Sequence, residues 1–179
     1  MQTIILECGS VRLVPFSPSD INLVINLQSD PFGNRYTEFS TGSISADAAE
    51  LVRSALQNQA ELGFAKWKAV AEDGRFLGWA GFTPVSETSE ISLNYCLSNE
   101  ILDKDGILAK RLCTALTGWF FENTYFSHLV AVVRTDNRSM REVVQDVGFN
   151  HRESKKIEGM QADVFQLFSP SMQSYLMSA

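Results

Sequence analysis

The chain has 179 residues, of which 45% are hydrophobic and 20% are charged, a composition typical of one globular domain with a buried core. Its 15 Lys and Arg residues against 21 Asp and Glu give a net charge of −6, which disfavours nucleic acid as the main ligand. Three cysteines without a CxxC spacing and two histidines exclude a disulfide framework and a structural zinc site, so we expect no metal. No apolar run approaches the roughly 18 residues of a membrane helix, so we expect a soluble cytoplasmic protein without a membrane partner.

The first third of the chain predicts two short strands and two helices. The strands cover residues 4–8 and 11–16, and an amphipathic helix over 21–30 follows them. A longer helix is predicted to start after Ser45 and to end at Gly63.

Three runs with strand character come next and predict an antiparallel meander. They cover residues 67–71, 76–82 and 91–97. The Asp73-Gly74 pair between the first two runs suits a tight hairpin turn.

The last third predicts two helices and three strands, one strand between the helices and a pair of strands at the end. Apolar residues recur at helical spacing over 109–120 and again over 140–147, where Gly148 ends the helix. The continuous apolar run 129–133 predicts a strand covered on both faces, and 162–168 closes the sheet.

Neither an internal repeat nor a Gly/Ser/Pro-rich linker interrupts the chain, so we predict a single domain over residues 1–179. The predicted fold is α/β, with a central mixed, twisted sheet of about seven strands flanked by helices. One half of the sheet is an antiparallel meander, and the other half contains a parallel crossover.

The stretch from Asn94 to Phe149 carries the motifs that point to a function. It holds a strand, a loop with one glycine, a helix and a buried strand, and then Asn137 leads into a second helix that Gly148-Phe149 ends. This layout resembles the GCN5-related N-acetyltransferase (GNAT) superfamily, particularly its branch that acetylates ribosomal proteins and antibiotics. The resemblance spans nearly the whole chain. It implies an acetyl-CoA-dependent N-acetyltransferase in which a primary amine attacks the thioester directly.

The resemblance assigns acetyl-CoA to three groups of residues. Asn137 and Met140 match the family's Asn, which contacts the pantetheine arm or orders the loop beside it, and the residue three positions later. Cys96, Leu97 and Ser98 match the strand whose backbone pairs with pantetheine. The alternatives are that Asn137 only caps a helix and that the strand is an ordinary sheet strand, with the Cys96 thiol in its core or wall rather than a nucleophile.

The third group corresponds to the loop that binds the diphosphate of acetyl-CoA. Bare backbone N–H groups and the positive end of a helix can reach phosphates there. Gly106 is the glycine that this loop retains, Leu108 replaces the family's small residue, and Ala109 follows. Two nearby aspartates would have to be offset by Lys104 or Lys110. A solvated turn before a helix is the alternative.

Two glutamates are candidates for the general base. Glu90 is the only acid on the strand that leads to Cys96, although it lies at the strand's beginning, where a solvated carboxylate is the alternative. Glu38 lies in the loop that usually lines the acceptor pocket in the family. The tyrosine that serves many relatives as general acid, seven residues after the Asn, is replaced by Val144.

The acceptor is left open between a protein N-terminus, a polyamine-like metabolite and an amine antibiotic. Without a firm base, an α-amino acceptor is favoured, because its pKa of about 7.7–8.0 leaves much of it neutral. The alternative function is a non-catalytic acyl-CoA-binding or partner-binding module with a degenerate active site. A homodimer is also left open.

Overall fold

The computed structural model describes residues 3–30, 43–98, 106–157 and 159–179. Eight strands form one mixed sheet in the order β1-β2-β3-β4-β5-β6-β8-β7. They are β1 (Leu6–Cys8), β2 (Val11–Val14), β3 (Lys66–Ala71), β4 (Phe76–Pro84), β5 (Ile91–Leu97), β6 (His128–Arg134), β7 (Asn150–Ile157) and β8 (Met160–Phe168). The helices are α1 (Ile21–Ser29), α2 (Ile44–Leu62), α3 (Ile107–Asn123), α4 (Arg138–Val147) and α5 (Pro170–Ser178), with a short 3-10 helix over Pro18–Asp20.

The predicted α/β fold with a mixed sheet and flanking helices is confirmed, and the described residues form eight strands where about seven were predicted. The predicted order ends in a pair of strands, but bounds are predicted only for residues 162–168. The bounds of β7 were missed because its charged and polar sequence lacks the apolar alternation that marks a half-buried strand. Helix α5 was also missed, since it has no buried residues and therefore no apolar stripe facing a core.

The described chain divides into two compact units, one within residues 1–83 and 94–102 and the other within 84–93 and 103–179. Within the described residues, every helix is too short or too polar to span a bilayer. The assignment of a single domain to the whole chain stays a prediction.

The first unit places α1 and α2 over strands β2 to β4, which pair antiparallel. Its core contains Phe16, Val24, Val52 and Trp79, and the partly buried Cys96 packs against it. Helix α2 starts two residues before the predicted position. The reason is that Ser43 is the N-cap, with its Oγ accepting from the Ala46 N–H at 3.3 Å.

A buried ion pair fixes the entry to α1 in this unit. The Lys68 Nζ lies 3.0 and 3.1 Å from the two carboxylate oxygens of Asp20. The same carboxylate accepts the Ser17 N–H at 2.8 Å, so the turn before α1 is bonded to β3 through one side chain. The Lys68 and Asp20 side chains are only 11% and 9% exposed, so each buried charge needs the other as its counter-charge.

The second unit is built around β6, β8 and β7, which pair antiparallel, and β5 joins β6 in parallel at Ser92 and Val130. Helices α3 and α4 contact each other in this unit, and most of their buried residues are apolar. The fully buried members of the core include Leu112, Leu116, Phe120, Leu129, Phe149 and Phe165. The predicted apolar stripes of both helices are therefore the faces that the fold buries.

Candidate active site

Asn137 and Gly148 are the two ends of helix α4. The Asn137 side chain accepts a hydrogen bond from the Met140 N–H at 3.1 Å, which is the N-cap arrangement. Gly148 closes the helix with φ 120°, a backbone conformation that favours glycine, and its N–H donates to the carbonyls of Val144 and Gln145. The Asn137 Oδ1 therefore caps the helix, as the alternative interpretation predicts. The Nδ2 group is a donor that could bind a ligand.

The buried residues of α4 are all apolar. Met140 is 6% exposed and Val144 is fully buried. Because Val144 occupies the position of the family's tyrosine and faces the core, this position supplies no hydroxyl to a leaving thiolate.

Gly106 is the N-cap residue before α3. Its φ of 65° is left-handed, and it has no side chain to cap the helix. The first-turn N–H groups of a helix lack intrahelical partners, so the backbone donors around Leu108 and Ala109 suit an anion. A Cβ on Gly106 would lie 3.3 Å from Cγ2 of Val143 in α4, which shows how closely the two helices approach here. The predicted Lys104 lies outside the described residues.

Lys110, the other lysine near this loop, pairs with α4. Its Nζ lies 2.6 Å from Oδ2 of Asp146, so the ion pair joins the first turns of α3 to the last turn of α4. An ammonium that is one-third exposed and already paired contributes less to the charge balance of an incoming diphosphate than an unpaired one.

The predicted cofactor strand, Cys96 to Ser98, lies in the first unit beside β4. The Ser98 N–H donates to the Leu77 carbonyl at 2.7 Å, and the buried Ser98 Oγ has no hydrogen-bond partner among the residues that the structure describes. Such an orphan hydroxyl in a predicted ligand strand fits a site that a polar ligand completes.

Burial raises the pKa of the Cys96 thiol to about 11. The thiol is therefore neutral at physiological pH, and a neutral thiol is a poor nucleophile. This agrees with its predicted place in the wall of the protein rather than in the chemistry.

Glu90 is held by two cationic or polar partners of the second unit. Arg152 donates to both of its carboxylate oxygens, at 2.6 and 3.1 Å, and the His128 Nε2 lies 2.6 Å from Oε2. The hydrogen bonds from Arg152, and then that with His128, lower the pKa of Glu90 from 4.5 to about 2, against the opposing effect of burial. A carboxylate that binds protons so weakly is a poor general base at neutral pH.

No local sequence pattern indicates this network, because His128 is 38 residues from Glu90 and Arg152 is 62 residues from it. The second candidate base, Glu38, lies outside the described residues. No group of three or more His, Cys, Asp or Glu side chains in the described ranges is arranged to hold a metal ion.

The Glu90 network makes stability depend on pH in the acid range. The pKa of Glu90 in the folded protein is lowered from 4.5 to about 2. The network therefore stabilises the protein fully above about pH 4.5, and this stabilisation is lost as the pH falls from 4.5 towards 2.

We expect Glu90→Gln to lower the urea midpoint at neutral pH and to lower it less at about pH 3. The matched control is Glu50→Gln, because the Glu50–Arg53 pair is solvent-exposed and should matter little at either pH. An equal loss for Glu90→Gln at both pH values would contradict this assignment.

A family comparison decides the identity of the chain. A sequence model of the acetyltransferase (GNAT) domain matches residues 10–150. The chain belongs to this family. The matched range of this GNAT acetyltransferase includes Glu90, Gly106, Asn137 and Gly148. No curated protein is similar enough in sequence to count as a relative.

Solved structures with the same fold cover nearly the whole GNAT acetyltransferase. An acetyltransferase from Agrobacterium tumefaciens str. C58 is 18% identical with a TM-score of 0.76, over 90% of this chain and 92% of that one. The ribosomal-protein-S5-alanine acetyltransferase from Vibrio fischeri is 11% identical with a TM-score of 0.75, over 96% and 98% of the two chains. A ribosomal L7/L12 alpha-N-protein acetyltransferase in complex with coenzyme A is 13% identical with a TM-score of 0.73, over 93% and 98%. At these identities the likeness establishes the fold.

Proposed function

We propose that this GNAT acetyltransferase transfers the acetyl group of acetyl-CoA to an α-amino group, with a protein N-terminus or a small α-amino compound as acceptor. The observation that carries the proposal is the α3–α4 pair of the second unit. The N-terminus of α3, at Gly106, has no side-chain cap. It lies against Val143 of α4, the helix that Asn137 caps. Acetyl-CoA supplies the acetyl group as a thioester, which an amine attacks without prior activation of the acyl group.

Gly106, Leu108 and Ala109 would hold the diphosphate through main-chain N–H groups and the positive end of α3. The left-handed φ of 65° at Gly106 and the absence of a capping side chain favour this role, because both leave the backbone open to an anion. Lys104, predicted for the same loop, would add a cation.

Asn137 would contribute its amide Nδ2, since its Oδ1 is used by the Met140 N–H. Met140 would shape the ligand's surroundings from the buried face of α4. In the first unit, Cys96, Leu97 and Ser98 would bind through the strand's main chain, and the orphan Ser98 hydroxyl would gain its hydrogen bond from the pantetheine arm.

The proposed acceptor class follows from the proton that must leave the amine. A lysine-type amine with a pKa near 10.4 needs a base, whereas an α-amino group with a pKa of about 7.7–8.0 is substantially neutral near pH 8. Glu90 is committed to Arg152 and His128, so we assign it a positioning role rather than proton removal. Glu38 stays the candidate base.

The test combines ligand binding, turnover and one variant. Acetyl-CoA at 100 times its dissociation constant should add about 2.7 kcal/mol to the unfolding free energy, and an α-amino peptide should be acetylated faster than a polyamine near pH 8. Asn137→Ala should cost about 0.5–2 kcal/mol of stability through the lost cap and also weaken acetyl-CoA binding in calorimetry.

The matched control is Ser43→Ala, which removes the N-cap of α2 and should leave acetyl-CoA affinity unchanged. If Asn137→Ala loses stability alone, Asn137 is only a cap. Binding without turnover on any amine would instead support the non-catalytic acyl-CoA-binding module.

A further inference from the structure

A cavity of about 710 Å³ lies in the second unit, away from the Gly106 end of α3. The last turn of α3 and the residues that follow it line one side, and the start of α5 lines the other. Most of its large side chains are apolar or aromatic: Phe121, Tyr125, Phe126, Met172 and Tyr175. One of its polar lining residues is Ser127, which is solvent-exposed. The acetyl-transfer proposal makes no use of this cavity.

Ser127 begins a chain of hydrogen bonds that runs from this cavity to Glu90. Its Oγ lies 3.0 Å from the His128 Nδ1, and the opposite ring nitrogen, Nε2, lies 2.6 Å from Oε2 of Glu90. Arg152 holds the same carboxylate from the far side at 2.6 Å. Hydroxyl, imidazole and carboxylate are thus in the order of a nucleophile, its base and the group that orients the base.

The tautomer of neutral His128 follows from these partners. The pKa of Glu90 is lowered to about 2, so its carboxylate is ionised at neutral pH and only accepts hydrogen bonds. The proton of the neutral ring therefore resides on Nε2 and is donated to Glu90, which leaves a lone pair on Nδ1. The Ser127 hydroxyl then donates to Nδ1, which is the arrangement that activates a serine.

A second Ser–His–carboxylate cluster in the same unit lacks this order. The Ser154 hydroxyl donates to the Asp163 carboxylate at 2.5 Å, so its proton is already bonded to an oxygen. The His151 Nε2 faces both groups, at 3.1 Å from Ser154 and 3.4 Å from Asp163. One nitrogen cannot serve as base to the serine while it donates to the carboxylate, so Ser154 is an internal comparison for Ser127.

The start of α5 supplies a donor beside the same cavity. The Ser169 N–H donates to the Ser127 carbonyl at 2.8 Å, which ties the helix start to the serine's own backbone. The N–H groups of Met172 and Gln173 are bonded to Ser169, and Pro170 has none. The N–H of Ser171, a cavity-lining residue, has no intrahelical partner and can stabilise a developing oxyanion.

We propose that Ser127 is a nucleophile that cleaves carboxylic esters with small apolar acyl groups in this cavity, with His128 as its base and Glu90 orienting His128. The Ser127 Oγ forms a bond to the ester carbonyl carbon, and its proton passes to the His128 Nδ1. The bond from the carbonyl carbon to the alcohol oxygen breaks, and the alcohol departs with that proton. Water then attacks the acyl-serine in the same way, which releases the carboxylic acid and restores the hydroxyl.

The experiment uses the full chain without acetyl-CoA. A tagged fluorophosphonate with peptide mapping reports the labelled serine, and p-nitrophenyl acetate reports the rate of ester cleavage. We expect labelling at Ser127, none there in Ser127→Ala, and ester cleavage slowed by about 10²–10⁴-fold in His128→Gln. Circular dichroism establishes that each variant is folded.

Two matched variants test whether Ser127 reacts because His128 activates it or only because it is exposed to solvent. Ser154→Ala removes the serine of the other cluster, and Ser174→Ala removes an exposed serine of α5; both should react like the wild type. Equal reactivity of His128→Gln and wild type, or no labelling of folded wild type at Ser127, would overturn the proposal. Neither result bears on acetyl transfer, because that assay follows a different ligand and different variants.

Discussion

Replacing Lys68 with Met is expected to lower the unfolding free energy by about 3–5 kcal/mol, because it leaves a buried carboxylate without its counter-charge. Met keeps much of the volume and the apolar stem of Lys, so the loss would come from the charge rather than from a cavity. Within the described part of the chain, the side-chain hydrogen bonds left to Asp20 would be those from Ser17. Urea denaturation of the wild type and the variant measures the difference.

Two further variants make the Lys68 result interpretable. Lys68→Met combined with Asp20→Asn should recover part of the loss, because no unpaired charge then remains in the interior. Arg12→Met breaks the exposed Arg12–Glu7 pair of the same unit and should have a much smaller effect. A loss for Lys68→Met as small as that for Arg12→Met would show that the buried pair is not a determinant of the fold.

Gly78→Ala is expected to destabilise the protein by about 2–6 kcal/mol, since it combines a steric clash with backbone strain. A Cβ at this position would overlap the Cys96 carbonyl oxygen and lie 2.8 Å from the Leu97 Cα, and both of these are backbone atoms that cannot turn away. The φ of 133° is also one that residues other than glycine rarely adopt. Denaturation measures the stability, and calorimetry with acetyl-CoA tests whether its binding depends on this strand.

Gly118→Ala is the matched control for this substitution. Gly118 lies within α3 with nothing within 4 Å of the added Cβ, so alanine should stabilise the helix by about 0.5–1 kcal/mol. If Gly78→Ala were as well tolerated as Gly118→Ala, β4 and β5 would have to be free to move apart at Cys96.

Sequence reasoning located the elements whose signals are local. The run 91–97 is a strand within the same bounds, and the helix that Asn137 caps ends at Gly148. Caps, turn glycines and apolar periods are all set within a few residues, so they are readable without knowledge of the fold. The bounds of strand β7 and the existence of helix α5 were missed. Strand β7 lacks apolar alternation and α5 buries none of its residues, so the place of each is fixed by neighbours distant in sequence.

The same distinction applies to the candidate site. The Asn137-to-Gly148 spacing correctly predicted the two ends of α4, whereas the partners of Glu90 could not be predicted. Arg152 reaches Glu90 from β7, and His128 reaches it from the start of β6. Alternation along one strand indicates which face a carboxylate shares, but it does not indicate what the neighbouring strands place beside it.

The two edges of the sheet have a consequence for self-association. An exposed edge strand offers unpaired main-chain groups to which another chain can add. At one edge β1 is only three residues long, and at the other β7 carries Arg152, Glu153, Lys155 and Lys156 among its eight residues. A short edge strand and a charged edge strand both resist the addition of another strand, so the charges of β7 protect against aggregation. One of them, Arg152, also holds Glu90.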